Sequence, residues 1–361
     1  MSDEPRYLAS SDQQLLLKAA FMDSEASRTS WAEWQGHHNL DDIDVRAYPL
    51  FPQLYLNLRA HGLDMSKHPR VQGIYRRCAY TNRLLLHNVR PALDALQRNG
   101  LRGLAVGPTA SVVSQLGCYP LDRFHLAMDE RTTVPAVELL NTLGWTTQHL
   151  HMPDEPVGLR GASNLENEQG DLMQIRWWSS CNADFWSSSV KVERDDFSLG
   201  VASSTDQLLD ASVPGLNWHR VPFFLRVTHA MLVFRYAKGE VDWDRLTTDA
   251  HERQLVLALL DVLAYARELG ACVPDIAMDR LRNTPVSTTE KYEYKYKIGR
   301  QTFMRRLGIL WLNYRRVARR SANGGRNLRF VDYLRMRWRM GGLWELPRHV
   351  LGVIRRSFRG N

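Results

Sequence analysis

The sequence predicts an α+β fold, a small mixed β-sheet embedded between N-terminal and C-terminal helices. Three observations predict it. Apolar residues recur at helical spacing through the first hundred positions. Residues 101–178 alternate short apolar runs with helical stretches, as a compact sheet with helices packed on it requires. From Ser204 the helical period returns. A chain of 361 residues accommodates two or three structural units. We divide it at 1–100 (helical), 101–200 (the α/β core), 201–290 (helical) and 291–361 (Arg-rich and basic).

In chain order, Ser11 and Asp12 are placed to cap a first helix through Leu15, Leu16, Leu17 and Ala20. Pro49 and Pro52 bracket a turn. A long helical pattern covers 71–99, with a break or kink expected at Pro91 and a stop at Gly100. Residues 101–106 are a short apolar run ending at Gly107, and 109–116 read as a helix. Phe124–Met128 reads as a strand. Thr132 or Thr133 caps a helix through Val137, Leu139, Leu140 and Leu143, with Gly144 behind it. Two further strands are expected over 145–150 and 171–178, separated by a polar loop at 158–170. Beyond the core, Ser204, Thr205 and Asp206 open a helix. Others follow over 221–237, from Asp242, over 252–269 and after Pro274.

Composition narrows the setting. No apolar run approaches the roughly 18 residues that span a bilayer; the richest, 221–236, is interrupted by Arg226, His229 and Arg235. The acidic, polar start does not read as a signal peptide. Cys78, Cys118, Cys181 and Cys272 are far apart and form no C-x-x-C pair, so neither a zinc site nor a disulfide framework is expected. A reduced bacterial cytoplasm fits. Charge is uneven: residues 301–361 hold 15 Arg, no Lys, one Asp and one Glu, or +13 against +8 for the whole chain. Such asymmetry implies an acidic partner.

Several stretches coincide in order with a known family. They are Leu50-Phe51-Pro52-Gln53-Leu54-Tyr55 with Asn57-Leu58, Gly73-Ile74-Tyr75-Arg76-Arg77 with Asn82, residues 100–107 and 138–145, and Asp184-Phe185-Trp186. Then come Ser204-Thr205-Asp206-Gln207-Leu208-Leu209, Val241-Asp242-Trp243-Asp244-Arg245-Leu246, Pro285-Val286-Ser287 and Leu343-Trp344-Glu345-Leu346-Pro347-Arg348. In these the chain resembles the uncharacterised nucleotidyltransferase family of the polymerase-beta-like superfamily, found in bacterial exopolysaccharide and peptide natural-product gene clusters. The resemblance implies a sheet of nucleotidyltransferase type. It also implies metal-assisted chemistry, in which two carboxylates at i, i+2 on a strand face one way and hold Mg²⁺ against a triphosphate.

The family pattern looks like Lys-Gly in a loop, Asp-x-Asp on the strand and Asp-x-His-Trp on a later strand. Carried over by position, Lys-Gly falls on Val106 and Gly107, and the aspartate pair on Arg123 and His125. The third acid falls on Gln174, and the histidine on Arg176, with Trp177 kept. A further histidine falls on Pro214 and an aspartate on His229. Slipping the register back by one gains Asp122 but leaves Phe124 in the second place, so no nearby offset restores both acids. Mg²⁺ takes oxygen ligands and Arg supplies none. A guanidinium about 4 Å from a unit positive charge costs roughly 4 kcal/mol at an effective dielectric of 20.

The resemblance therefore implies a nucleotidyltransferase-like protein with a degenerate catalytic motif, without a cofactor. It would be a binding or scaffolding partner in a polysaccharide or peptide natural-product cluster. The alternative is an active enzyme moving NMP from an NTP to a small-molecule, sugar or peptide acceptor, with Mg²⁺ on unusual ligands such as Asp122, His125, Asp129 and Asp171. For the converging cations two readings stay open. Gly107, Arg123, His125 and Arg176 hold a nucleotide or other anion directly, or the side chains form structural salt bridges with Asp122, Asp129 or Asp171.

Other residues read as structural. His37 and His38 adjoin; His149 and His151 share a strand face, as metal ligands can, yet no Cys or carboxylate pairs with them. Ser179, Ser180 and Ser187 to Ser189 lack a nucleophile motif. Trp177, Trp178 and Trp186 suit either base stacking or a small core. Asp242-Trp243-Asp244 opens a helix, where acids favour the dipole. In the tail, Val350, Leu351, Ile354 and Phe358 fall on one helical side and Arg348, Arg355 and Arg359 on another. Residues 301–361 thus suit packing on their own domain, a protein partner, or an anionic membrane surface at the inner face. No recognition motif for nucleic acid accompanies the charge.

Overall fold

A computed structural model describes residues 9–40, 45–147, 162–177, 183–194, 197–214, 221–298, 303–323, 328–338, 340 and 343–345. They fall into two compact units, the larger within Leu8–His149 and Ala162–Val286, the smaller within Ser287–Asn361.

The larger unit is α+β. It opens with α1 (Ser11–Phe21) and α2 (Ser24–His37). Ser10 caps α1, one residue ahead of the expected Ser11 or Asp12. Its hydroxyl accepts from Gln13 N–H while the Gln13 amide oxygen accepts from Ser10 N–H, a closed capping box. Pro52 starts a helix rather than closing a turn: it lies in the first turn of α3 (Phe51–Ala60), where its missing N–H has no intrahelical partner to lose. Helix α4 (Pro69–Arg98) continues through Pro91, so of the expected break or kink the break does not occur. Burial of Val89, Ala92, Leu93 and Leu96 around the proline outweighs the one lost backbone hydrogen bond. Gly100 follows the helix at φ +70°, a conformation that suits glycine.

The core then runs β1 (Gly103–Ala105), α5 (Pro108–Ser114), β2 (Phe124–Met128), α6 (Glu130–Thr142), β3 (Thr146–Thr147), β4 (Ala162–Glu166), β5 (Leu172–Trp177), α7 (Ala183–Ser187), β6 (Val190–Arg194) and β7 (Phe197–Val201). Among the described residues these strands form one mixed sheet in the order β3-β4-β5-β2-β1-β7-β6. The pairs β2/β5 and β1/β7 are parallel and the others antiparallel. Four strands were legible and seven are present. Strand β4 occupies part of the stretch read as a polar loop, because only Ser163 and Leu165 turn inward and Leu165 is the one large apolar residue among its five positions. The hairpin β6/β7 carries only Val192, Leu199 and Val201 into the core, too sparse a pattern to read. Asp129 caps α6, its carboxylate accepting from Arg131 N–H. Thr132 and Thr133 sit inside the first turn and donate to the Asp129 carbonyl. Strand β3 is only two residues long, and 148–150 lie outside the described residues.

Strand alternation gives the sheet two unlike faces. Phe124, Leu126 and Met128 of β2 join Met173 and Ile175 of β5, and pack with Val89 and Leu93 of α4 and Leu140 of α6 in the main core. Arg123, His125, Gln174 and Arg176 occupy the alternate positions, so they share the opposite face. There only a small apolar patch forms, from Leu104, Val106, Ala127, Phe185 and Ala202.

Beyond the sheet come α8 (Ser204–Ser212), α9 (Phe223–Tyr236), α10 (Trp243–Glu252), α11 (Val256–Glu268) and α12 (Asp275–Asn283). Ser203, Asp242 and Pro274 stand at the N-caps of α8, α10 and α12. The helix expected over 252–269 starts four residues later, at Val256, because α10 ends at Glu252 and Gln254 between the two takes φ +58°. Helix α9 packs on α8, α5, α1 and α11. The smaller unit contains α13 (Thr288–Ile298), α14 (Phe303–Asn323) and α15 (Phe330–Trp338). In it Tyr314 packs its ring on Phe330 and Tyr333 at 5.0 and 5.7 Å. No described helix is long and apolar enough to cross a membrane.

Asn82 of α4, fully buried, fixes the turn that leads into β2. Its amide nitrogen donates to the carbonyls of Leu116 and Tyr119, both at 2.7 Å, and its oxygen accepts from Leu121 N–H at 3.0 Å. Truncation strands several buried backbone groups. We expect Asn82→Ala to lower unfolding free energy by about 2–4 kcal/mol in urea denaturation. A loss below about 0.5 kcal/mol would show that the turn holds without it.

Candidate functional site

Strand register brings the carried-over positions together. Parallel pairing sets His125 beside Gln174 and Ala127 beside Arg176, and β4 sets Asn164 beside Gln174. The side chains form one connected network. Arg123 reaches the Asn164 amide oxygen at 3.4 Å, and that oxygen also accepts from Gln174 Nε2 at 2.9 Å. Arg176 Nε donates to Gln174 Oε1 at 2.8 Å, Nη2 to His125 Nδ1 at 3.2 Å, and Nη1 to Asp210 Oδ2 at 3.1 Å. An arginine only donates, so His125 Nδ1 accepts and its proton sits on Nε2. Thr109 of α5 accepts from His125 N–H at 2.9 Å, which ties the strand to the helix after the glycine turn.

Asp210, from α8, is the acid that balances the face. Its side chain is 2% exposed and that of Arg176 18%. Burial raises the Asp210 carboxyl above its ordinary range, and Arg176 pulls it back. The carboxylate also lies against Gly107. A Cβ there would sit 3.3 Å from Asp210 Oδ2, and the glycine has φ +58°, so both space and backbone favour glycine at this position. His125 is held well below the ordinary imidazole range by burial first, then by Arg176 and Arg123. His229 of α9 is pushed down to about 4 by burial and Arg176, and its buried Nε2 has no hydrogen-bond partner among the described residues. Both rings are therefore neutral at physiological pH.

These residues do not fit Mg²⁺. The strand positions present a guanidinium, an imidazole already accepting from Arg176, an amide and a second guanidinium. The carboxylate nearest them is already engaged by Arg176. Hard-oxygen octahedral coordination has no donor set here. Nor do the four alternative ligands assemble. Asp122 is exposed and pairs with Arg123 at 2.9 Å. Asp129 caps α6 at the other end of β2, about 20 Å along the strand. Asp171 accepts from Asn88 and Asn167 in the turn before β5. Among the described residues no group of three His, Cys, Asp or Glu is placed to share a metal ion.

Of the salt bridges expected for the cations, Arg123–Asp122 forms, whereas Arg176 takes Asp210 rather than Asp129 or Asp171. Asp210 was missed, because the burial that makes it conspicuous is visible only in the fold. Asp206 and Asp210 lie one turn apart on a helix whose every residue is buried, and each such acid needs a cation. Asp206 is matched by Arg245 and Ser203. Val106 is buried in the small apolar patch, and Pro214 follows the end of α8.

The remaining candidates have structural roles. Asp242 caps α10 and Asp244 pairs with Arg280. His38 pairs with Asp12 at 3.2 Å and stacks on Trp34. Ser188 and Ser189 donate to the Asp184 and Trp186 carbonyls. Trp186 packs edge-on against Phe185 under the Arg102 guanidinium. His149, His151, Trp178, Ser179, Ser180 and Cys181 lie outside the described residues, as does the Trp177 side chain.

A scan of family models and a search of curated proteins give no match to this chain.

Removing Arg176 leaves a buried carboxylate uncompensated. Arg176→Ala is expected to lose about 3–5 kcal/mol in chemical denaturation. The double variant Arg176→Met/Asp210→Leu, which replaces both charges by apolar groups, should recover most of it. A single variant as stable as the wild type would contradict the pairing.

Proposed function

We propose that this is a nucleotidyltransferase-like protein whose catalytic motif has been replaced. It acts as a binding or scaffolding partner in a bacterial polysaccharide or peptide natural-product biosynthetic cluster. One observation carries the reading: the Arg176 guanidinium is held by Asp210, Gln174 and His125 across the strand positions where the resemblance implies metal-binding acids. The acid against the glycine turn is the chain's own Asp210. A triphosphate with Mg²⁺ would have to displace a buried ion pair, and the desolvation already met in burying two charges is several kcal/mol for each. We expect no label transfer and no pyrophosphate release when the protein is incubated with α-labelled ATP, GTP, CTP or UTP and Mg²⁺, Mn²⁺ or Zn²⁺. Transfer that is abolished by Asp122→Ala or Asp171→Ala would overturn the proposal in favour of an active enzyme with unusual ligands.

A second observation bears on the partner. On α14, Leu307, Trp311 and Arg315 are exposed at i, i+4 and i+8, and Arg329 and Arg335 are exposed on and just before α15. Aromatic and aliphatic groups flanked by guanidinium groups suit an anionic lipid surface. We propose that residues 301–361 attach the protein peripherally to the cytoplasmic membrane face. The tail face of Val350, Leu351, Ile354 and Phe358 lies outside the described residues. Pelleting with phosphatidylglycerol vesicles at low salt, and release at high salt, is the expected result. No pelleting would replace the membrane by an acidic protein partner.

A further inference from the structure

A cavity of about 470 Å³ opens beside α3 and α4, lined by Tyr55, Arg59, Asp64, Gln72, Tyr75 and Arg76 among others. Its tyrosines are fixed. Their rings stack at 4.4 Å and 20°, and Tyr75 is wedged on Gly117 so closely that a Cβ there would come within 2.4 Å of the ring. Arg59 and Arg76 are exposed, and neither side chain makes a hydrogen bond or ion pair among the described residues. Two like charges on one concavity are poised for a shared anion. Asp64 offsets only one of the two and leaves the concavity a net positive charge. Its Oδ1 accepts from Ser66 N–H at 3.1 Å and from Ser66 Oγ at 2.6 Å, which holds the carboxyl below its usual range and leaves Oδ2 unengaged.

We propose that this cavity binds a sugar phosphate. The phosphate lies between Arg59 and Arg76, whose planar guanidinium groups match its oxygens. The sugar hydroxyls donate to Asp64 Oδ2 and exchange hydrogen bonds with the Gln72 amide and the tyrosine hydroxyls. A bare anion gains the arginines but meets an unshielded carboxylate. A neutral sugar gains the carboxylate but leaves the arginines unmatched. The site shares no residue with the sheet face, so it stands or falls independently of the function proposed above.

Isothermal calorimetry at constant ionic strength tests it with glucose 1-phosphate, glucose 6-phosphate and ribose 5-phosphate, against inorganic phosphate and glucose. Saturable binding of at least one sugar phosphate is expected, about tenfold or more tighter than either control. Arg59→Gln/Arg76→Gln alters only exposed side chains and should fold normally, yet weaken that binding about tenfold or more. Asp64→Asn should weaken the sugar phosphate and, by removing the carboxylate's repulsion, tighten inorganic phosphate. The proposal is overturned if none of the three binds, if inorganic phosphate binds equally well, or if the double arginine variant keeps wild-type affinity.

Discussion

Arg176 and Asp210 form an ion pair almost out of water, and the polar side of the sheet is organised around it. Neither charge is tolerable alone at that depth, since each loses several kcal/mol of hydration that only its partner and further hydrogen bonds return. Each guanidinium nitrogen has a partner: Nη1 donates to Asp210, Nε to Gln174 and Nη2 to His125. That geometry fixes the His125 tautomer, seats Gln174 on Asn164 and sets α8 against β5. The ordinary apolar core lies behind the sheet; the face in front is determined by charge matching. Helix α8 repeats the device one turn earlier with Asp206 and Arg245.

Such a face has chemical consequences. A divalent cation needs free oxygens and a field of negative charge, while the strands offer guanidinium and amide donors with one neutral imidazole, and the helices add a second imidazole and a carboxylate already engaged by Arg176. The low titration ranges of His125 and His229 follow from the same cause, burial beside a fixed positive charge. At the edge Arg123 is half-buried, held by the exposed Asp122 and by Asn164. The arrangement favours rigidity over coordination of a divalent cation.

Legibility in the sequence followed the strength of local signals. Strand β2 was read to the residue because five consecutive positions are buried, and α10 and α12 because Asp242 and Pro274 are strong start signals. The four strand positions of the site came from the resemblance, carried over as two i, i+2 pairs; that spacing puts each pair on one face of its strand, and the β2/β5 register puts both pairs on the same face of the sheet. Asp210 was not, because a helix pattern says nothing about which strand lies opposite. Strand β4 failed for a related reason: Ser163 earns its burial from sheet pairing, not from its own hydrophobicity. At Pro91 local chemistry predicted a break or kink, and tertiary burial overrode the break. Fold class was therefore readable from periodicity, whereas charge partners depended on long-range register.

Anomalous diffraction from crystals soaked with Mn²⁺ and a non-hydrolysable triphosphate tests the guanidinium-filled cleft most directly. No ordered Mn²⁺ peak should appear between β2 and β5, with Arg176 still seated on Asp210. A peak coordinated by oxygens of this chain beside the triphosphate, with Arg176 swung away, would contradict it.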